Sequence, residues 1–104
     1  MDLDAVLAAA ADRTRRAMLQ RLAHGPATVG QLAALFPISR PAVSQHLKVL
    51  KDAHLVAVRP QGTRHIYSLD PEGLAAARSY FERFWAVALA SYAQEVTRSP
   101  EEET

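Results

Sequence analysis

A chain of 104 residues, 49% of them apolar, is long enough for one domain with a modest core and too apolar to stay disordered. It has no cysteine, which excludes disulfides, thiolate zinc sites and a thiol redox switch. The formal net charge of +1 hides a division: residues 13–69 carry nine Lys/Arg against one acid, Asp52, whereas residues 70–104 carry three bases against seven acids. An anionic partner is therefore expected for the middle of the chain only.

The N-terminus, Met1-Asp2-Leu3-Asp4, is acidic and lacks the basic start of a signal peptide. No run of 18 apolar residues is present, so no membrane span is expected and the cytoplasm is the expected location. Residues 3–11 are rich in Ala and Leu, strong helix formers, with Leu3, Val6, Leu7 and Ala10 on one stripe. Asp12 then reads as the N-cap of a second helix, Arg13 to about Ala23, ended by His24-Gly25-Pro26. Thr28 and Gln31 have the spacing of a capping box, which opens a short helix over Val29–Phe36 with Leu32, Ala33 and Phe36 facing inward. Ser39 caps the next helix, Pro41 occupies its first turn, and the helix runs to about Ala53.

Two helices joined by so short a break form a helix-turn-helix. The residues that follow separate this motif from an ordinary helical hairpin. Leu55–Arg59 is a β-branched run, Pro60–Thr63 has turn chemistry around Gly62, and Arg64–Leu69 alternates. A β-hairpin directly after the second helix is a wing. Asp70, Pro71 and Glu72 then start a long helix to about Thr97, with Leu74, Phe81, Phe84/Trp85, Ala88, Tyr92 and Val96 at helical spacing. The expected fold is mainly α with a small β-hairpin, a winged helix-turn-helix of order α-α-α-α-β-β-α. One domain is expected over residues 1–97, with an acidic disordered tail over 98–104.

On a helical wheel of residues 40–53, Val43, Leu47 and Leu50 share the inward face, while Pro41, Gln45 and Lys48 lie opposite with Ser44 beside them and Arg40 and Lys51 at the flanks. Gln can bond both N6 and N7 of adenine, Arg can read guanine or grip phosphate, and Ser can serve either base type or backbone. This is the chemistry of a major-groove face. His46 sits at the edge of the buried stripe, where packing and phosphate contact are both open. Arg59, Thr63 and Arg64 surround the wing turn and are expected to reach phosphates or the minor groove.

Three stretches carry a resemblance to the ArsR/SmtB family of dimeric winged-helix repressors. They are Ala11–Arg16, with Arg13 where the family usually has Pro; Thr28–Ala33 followed by Ile38–Leu50; and Gly62–Pro71. The resemblance covers about residues 4–92. It implies that Ser44, Gln45 and His46 occupy base- and backbone-contacting positions, and that Arg64 is the wing arginine. It also implies a homodimer through the first and last helices, for which Leu3, Val6, Leu7, Phe81, Phe84, Trp85 and Tyr92 are the candidates. About half of the aromatics are expected to pack within the single chain instead. The expected partners are a second copy and double-stranded DNA carrying a pseudo-palindromic operator.

The chain departs from its metal-sensing relatives. Gln31–Leu35 has no thiol, and between Leu74 and Thr97 there is no histidine, only Glu82 and Glu95. No metal site and no cofactor are expected, and the inducer is unidentified. No nucleophile elbow, glycine-rich phosphate loop or metal triad points to an enzyme. Two readings stand beside the repressor: a winged helix that binds a protein partner, and an activator or dual regulator.

Overall fold

The computed structural model describes residues 2–97. In chain order they form α1 (Leu3–Ala11), α2 (Arg13–Leu22), β1 (Ala27–Thr28), α3 (Val29–Ala33), α4 (Arg40–Asp52), β2 (Val56–Gln61), β3 (Arg64–Leu69) and α5 (Pro71–Thr97). The tail expected over 98–104 lies outside the described residues.

Each helix start is satisfied by the side chain just before it. Asp2 accepts from the Asp4 amide at 3.0 Å and Asp12 from the Arg15 amide at 3.0 Å. Thr28 and Gln31 exchange both bonds of the capping box, at 3.1 and 2.9 Å. Ser39 accepts from the Ala42 amide at 3.3 Å, and Asp70 from the Glu72 amide at 3.0 Å. These oxygens occupy amide donors that a helix leaves open in its first turn.

The architecture differs from the expected order in three places. Ala27 and Thr28 form a strand that pairs antiparallel with Tyr67 and Ile66, so the sheet has three strands in the order β1-β3-β2 rather than two. The helix α3 stops at Ala33 instead of Phe36, because the Leu35 amide turns back to the Leu32 carbonyl at 3.0 Å and tightens the chain. The hairpin turn is shorter than expected: β2 and β3 pair out to Gln61 and Arg64, leaving Gly62 and Thr63 as the turn. Gly62 has φ 63°, a region that glycine enters without steric cost and that the favoured two-residue hairpin turns require.

The core is aliphatic. Met18, Leu32, Val43, Leu47 and Leu50 are fully buried, with Val6, Leu22, Leu55 and Val56 around them. Three of these come from one face of α4, so α4 is anchored between α2, α3 and the sheet. No aromatic residue belongs to the fully buried set; Phe36 and Tyr67 pack partly against its edge. Two expectations are corrected here. Val6 is only 2% exposed within the single chain, because α1 turns that position onto the core rather than outward. Few of the α5 aromatics enter the core: Tyr80 is half-buried, whereas Phe81, Phe84, Trp85 and Tyr92 are exposed, because α5 runs past the body of the domain.

The joint between α4 and α5 is tight. The Leu55 amide bonds the Leu50 carbonyl at 3.0 Å and the His54 amide bonds the Lys51 carbonyl at 2.9 Å, closing α4 with a Schellman motif. Glycine usually takes the left-handed position of that motif, but here it is His54, with φ 62°. The Asp70 amide bonds the Leu55 carbonyl at 2.9 Å. Gly73 then lies so close that a Cβ there would collide with the His54 carbonyl oxygen.

Candidate nucleic-acid interface

The fold divides α4 into two faces. Val43, Leu47 and Leu50 are buried, while Arg40, Pro41, Ser44, Gln45 and Lys48 are exposed on the other side. The inward packing fixes the azimuth of the helix and therefore of its polar row. Fully burying a Leu side chain contributes on the order of 1.5–3 kcal/mol, so rotating α4 to hide that row would be costly.

His46 is half-buried, and its Nδ1 lies 3.4 Å from Arg15 Nη1. Arg15 also donates through Nε to the Ala9 carbonyl at 2.7 Å and through Nη2 to the Ala8 carbonyl at 3.3 Å. One arginine thus ties the end of α1, the start of α2 and α4 together. His46 thus has a packing partner in this arginine and keeps part of its ring open to solvent. Asp12 sits beside the same group. The backbone bond from the Arg15 amide, supplemented by the charges of Arg15 and His46, holds its carboxyl below the ordinary aspartate value.

Lys48 is exposed but not free. Its Nζ donates to Asp52 at 2.8 Å, one turn further along α4. The hydrogen bond from Lys48 lowers the Asp52 pKa, and the same bond raises that of Lys48. Ser44 and Gln45 point to solvent with no side-chain hydrogen bond among the described residues.

The structure gathers only part of the expected set into a concave site. A groove of about 680 Å³ separates the start of α3 and α4 from the wing, and Arg40, Thr63, Arg64 and His65 line it together with Thr28 and Gln31. Ser44, Gln45, Lys48 and Arg59 are not among its lining residues. Arg59 lies on β2 opposite Ile66. Sequence reading missed His65 and Gln31 as lining residues, Arg15 as the brace and Asp52 as the partner of Lys48. Only the last carried a local signal, the (i, i+4) spacing of opposite charges on a helix.

A second possible site has a different chemistry. His54, Asp70 and Glu72 place three donor atoms within 4.8 Å of one another at the α4–α5 joint. A mixed nitrogen and oxygen set of this kind suits borderline divalent metals. It is largely exposed and rests on the first turn of α5, whose dipole opposes a cation. His54 lies far from Asp70 and Glu72 along the chain, so no local spacing in the sequence signals this group. Among the described residues, no helix is long and apolar enough to cross a membrane.

Residues 10–59 match a family model described as a helix-turn-helix domain. The chain is 65% identical over 86 residues to the HTH-type transcriptional regulator Rv2034 of Mycobacterium tuberculosis, covering 83% of this chain and 80% of that protein. It is 34% identical over 73 residues to the arsenical resistance operon repressor of Staphylococcus xylosus, covering 70% of each. The chain belongs to the ArsR family of winged helix-turn-helix transcriptional regulators. Solved structures agree. A possible transcriptional regulator for arsenical resistance superposes with a TM-score of 0.72 at 46% identity, over 89% of this chain and 97% of the other. A homodimeric winged helix-turn-helix DNA-binding domain from Mycobacterium bovis, a possible ArsR-family regulator, superposes with a TM-score of 0.61 at 27% identity, over 91% and 81%. A family of transcriptional regulators is not one of enzymes.

Proposed function

We propose that this ArsR-family chain is a homodimeric, sequence-specific repressor that occludes a promoter, its own being the first candidate, by placing α4 in the DNA major groove. The observation that carries this reading is the division of α4: an exposed row of Arg40, Ser44, Gln45 and Lys48 on a helix whose opposite face is buried. Gln45 is the residue suited to adenine, Ser44 serves base or backbone, and Lys48 neutralises phosphate. Arg59, Thr63 and Arg64 extend the contact through the wing. His46 belongs to the brace with Arg15 and supports the reader helix from behind. The similarity to the homodimeric M. bovis domain supports a two-fold arrangement. A C2 dimer would present two reader helices about 34 Å apart, the spacing of successive major grooves in a pseudo-palindrome.

Selection of bound duplexes from a random-sequence pool tests this reading. The expected product is an inverted repeat whose half-sites are one helical turn apart. The variant Gln45→Ala should relax the preference at one base pair per half-site and leave other positions unchanged. Failure of the chain to retain any duplex at low salt would overturn the reading in favour of a protein partner.

A further inference from the structure

The groove between α3 and the wing has a feature that the major-groove reading does not use. Arg40 from α4 and Arg64 from the wing both line it, with Thr63 and His65, and no carboxylate residue does. Among the described residues, neither Arg40 nor Arg64 makes a side-chain hydrogen bond or an ion pair. Arg15, Arg16, Arg21 and Arg78 are engaged; Arg13, Arg59 and Arg83 are as free as Arg40 and Arg64 among the described residues, but none of them lines the groove. Two cationic side chains lining one groove without a protein acceptor favour an anion there.

The guanidinium of Arg40 lies against position 30, where a side chain would displace its tip. A Cβ on Gly30 would stand 2.6 Å from Arg40 Nη2 and 3.6 Å from its Cζ, whereas ordinary contact begins near 3.4 Å. The conformation of position 30 is not the reason for glycine, since its φ is not positive and it lies inside α3, where alanine is the better helix former. What the missing methyl group provides is room for Arg40.

We infer that this groove clamps a DNA backbone phosphate between Arg40 and Arg64, and that Gly30 is the positioning residue that keeps Arg40 in it. The inference rests on the DNA-binding reading. Clamping the strand from both the reader helix and the wing fixes the depth and tilt of α4 without reading a base. Arg40 thereby becomes a backbone contact rather than part of the base-reading row. The occupant is duplex DNA rather than a free anion, because the groove opens between the two elements that flank a bound duplex.

The variant Gly30→Ala provides the test. It should be no less stable than the parent, since alanine outranks glycine within a helix. Its affinity for a random-sequence 30-base-pair duplex, followed by anisotropy between 50 and 200 mM salt, should fall roughly three- to tenfold, with the log–log salt slope smaller by about 0.9, one phosphate contact. Arg40→Ala should give the same loss, and the double variant little more, because both changes remove one contact. A preference at individual base pairs should survive in all three. If Gly30→Ala binds like the parent while Arg40→Ala is weakened, Gly30 does not position Arg40. If both bind like the parent, the groove holds no phosphate. If the parent itself binds no duplex, the DNA-binding reading has failed first.

Discussion

Lys48 stands on the outward row of α4 and yet gives its charge to Asp52, at 2.8 Å. Both side chains are more than 60% exposed, so the pair adds little to stability. Under the proposed reading its effect would fall on binding, since Asp52 would place a negative charge beside the phosphate that Lys48 is proposed to neutralise and would compete for the lysine. Because the bond lowers the acid and raises the base, neither group titrates near neutral pH and the restraint is constant there. The variant Asp52→Asn should therefore bind a random-sequence duplex about two- to fivefold more tightly at low salt, with the gain shrinking as salt rises. Unchanged affinity would place Asp52 away from the DNA. Asp12 behaves differently with pH. Its folded-state pKa is depressed, so its contribution is present above the unfolded value of about 3.9 and is lost as pH falls through the folded value. The stability difference between the parent and Asp12→Asn should accordingly narrow on acidification below about pH 4, as read from urea midpoints. Gly73 is a steric case. A Cβ there meets a backbone carbonyl, which cannot swing aside as a side chain can. Gly73→Ala should cost about 1–3 kcal/mol in urea unfolding, and a parental midpoint would show that the α4–α5 joint yields.

The helices were legible wherever a cap stood before an apolar stripe. Asp12, Thr28, Ser39 and Asp70 each mark a start that the structure confirms, and Val43, Leu47 and Leu50 face the core as their spacing requires. A strand of two residues was not legible, since Ala27–Thr28 has no periodicity and exists only because β3 lies alongside it. The brace of Arg15 on His46 joins residues 31 apart and leaves no local pattern. The basic groove was half legible: Arg40 and Arg64 are named by their charge, but only the fold makes them line one groove and sets Gly30 against Arg40. The element most exposed to failure is α4, because three of its side chains fill the core while its other face must stay rigid. Leu47→Ala should cost about 2–5 kcal/mol, a large part of the stability of a domain this size. Ser39→Ala, which removes only the cap, should cost about 1 kcal/mol. Chemical denaturation that reversed this order would mean that α4 is held mainly from its N-terminus.

The whole molecule is longer than a compact domain. Its radius of gyration is 19.3 Å, against about 13 Å for a globular chain of this length. The excess comes from α5, whose 27 residues span about 40 Å and project beyond the core. Along the projection Phe84, Trp85 and Tyr92 remain 54–68% exposed. Tyr80, Phe81, Phe84 and Trp85 form a ladder of ring contacts with centroids 5.3–6.4 Å apart. Leu89 and Val96 continue this face of α5, and Leu7 of α1 and Val87 are exposed as well. An apolar surface of this extent is unusual for a monomer and is accounted for by the proposed second copy. Substitution there separates assembly from folding, because the aliphatic core contains none of these residues. Trp85→Glu should leave the far-ultraviolet spectrum of a folded helical domain while shifting sedimentation from dimer to monomer. It should also lower affinity for a two-half-site duplex much more than for a single half-site, since the loss is one of effective concentration rather than of contacts. A Trp85→Glu chain that still sedimented as a dimer would place the interface elsewhere. If it were monomeric yet kept full affinity for the paired site, the two reader helices would be acting independently.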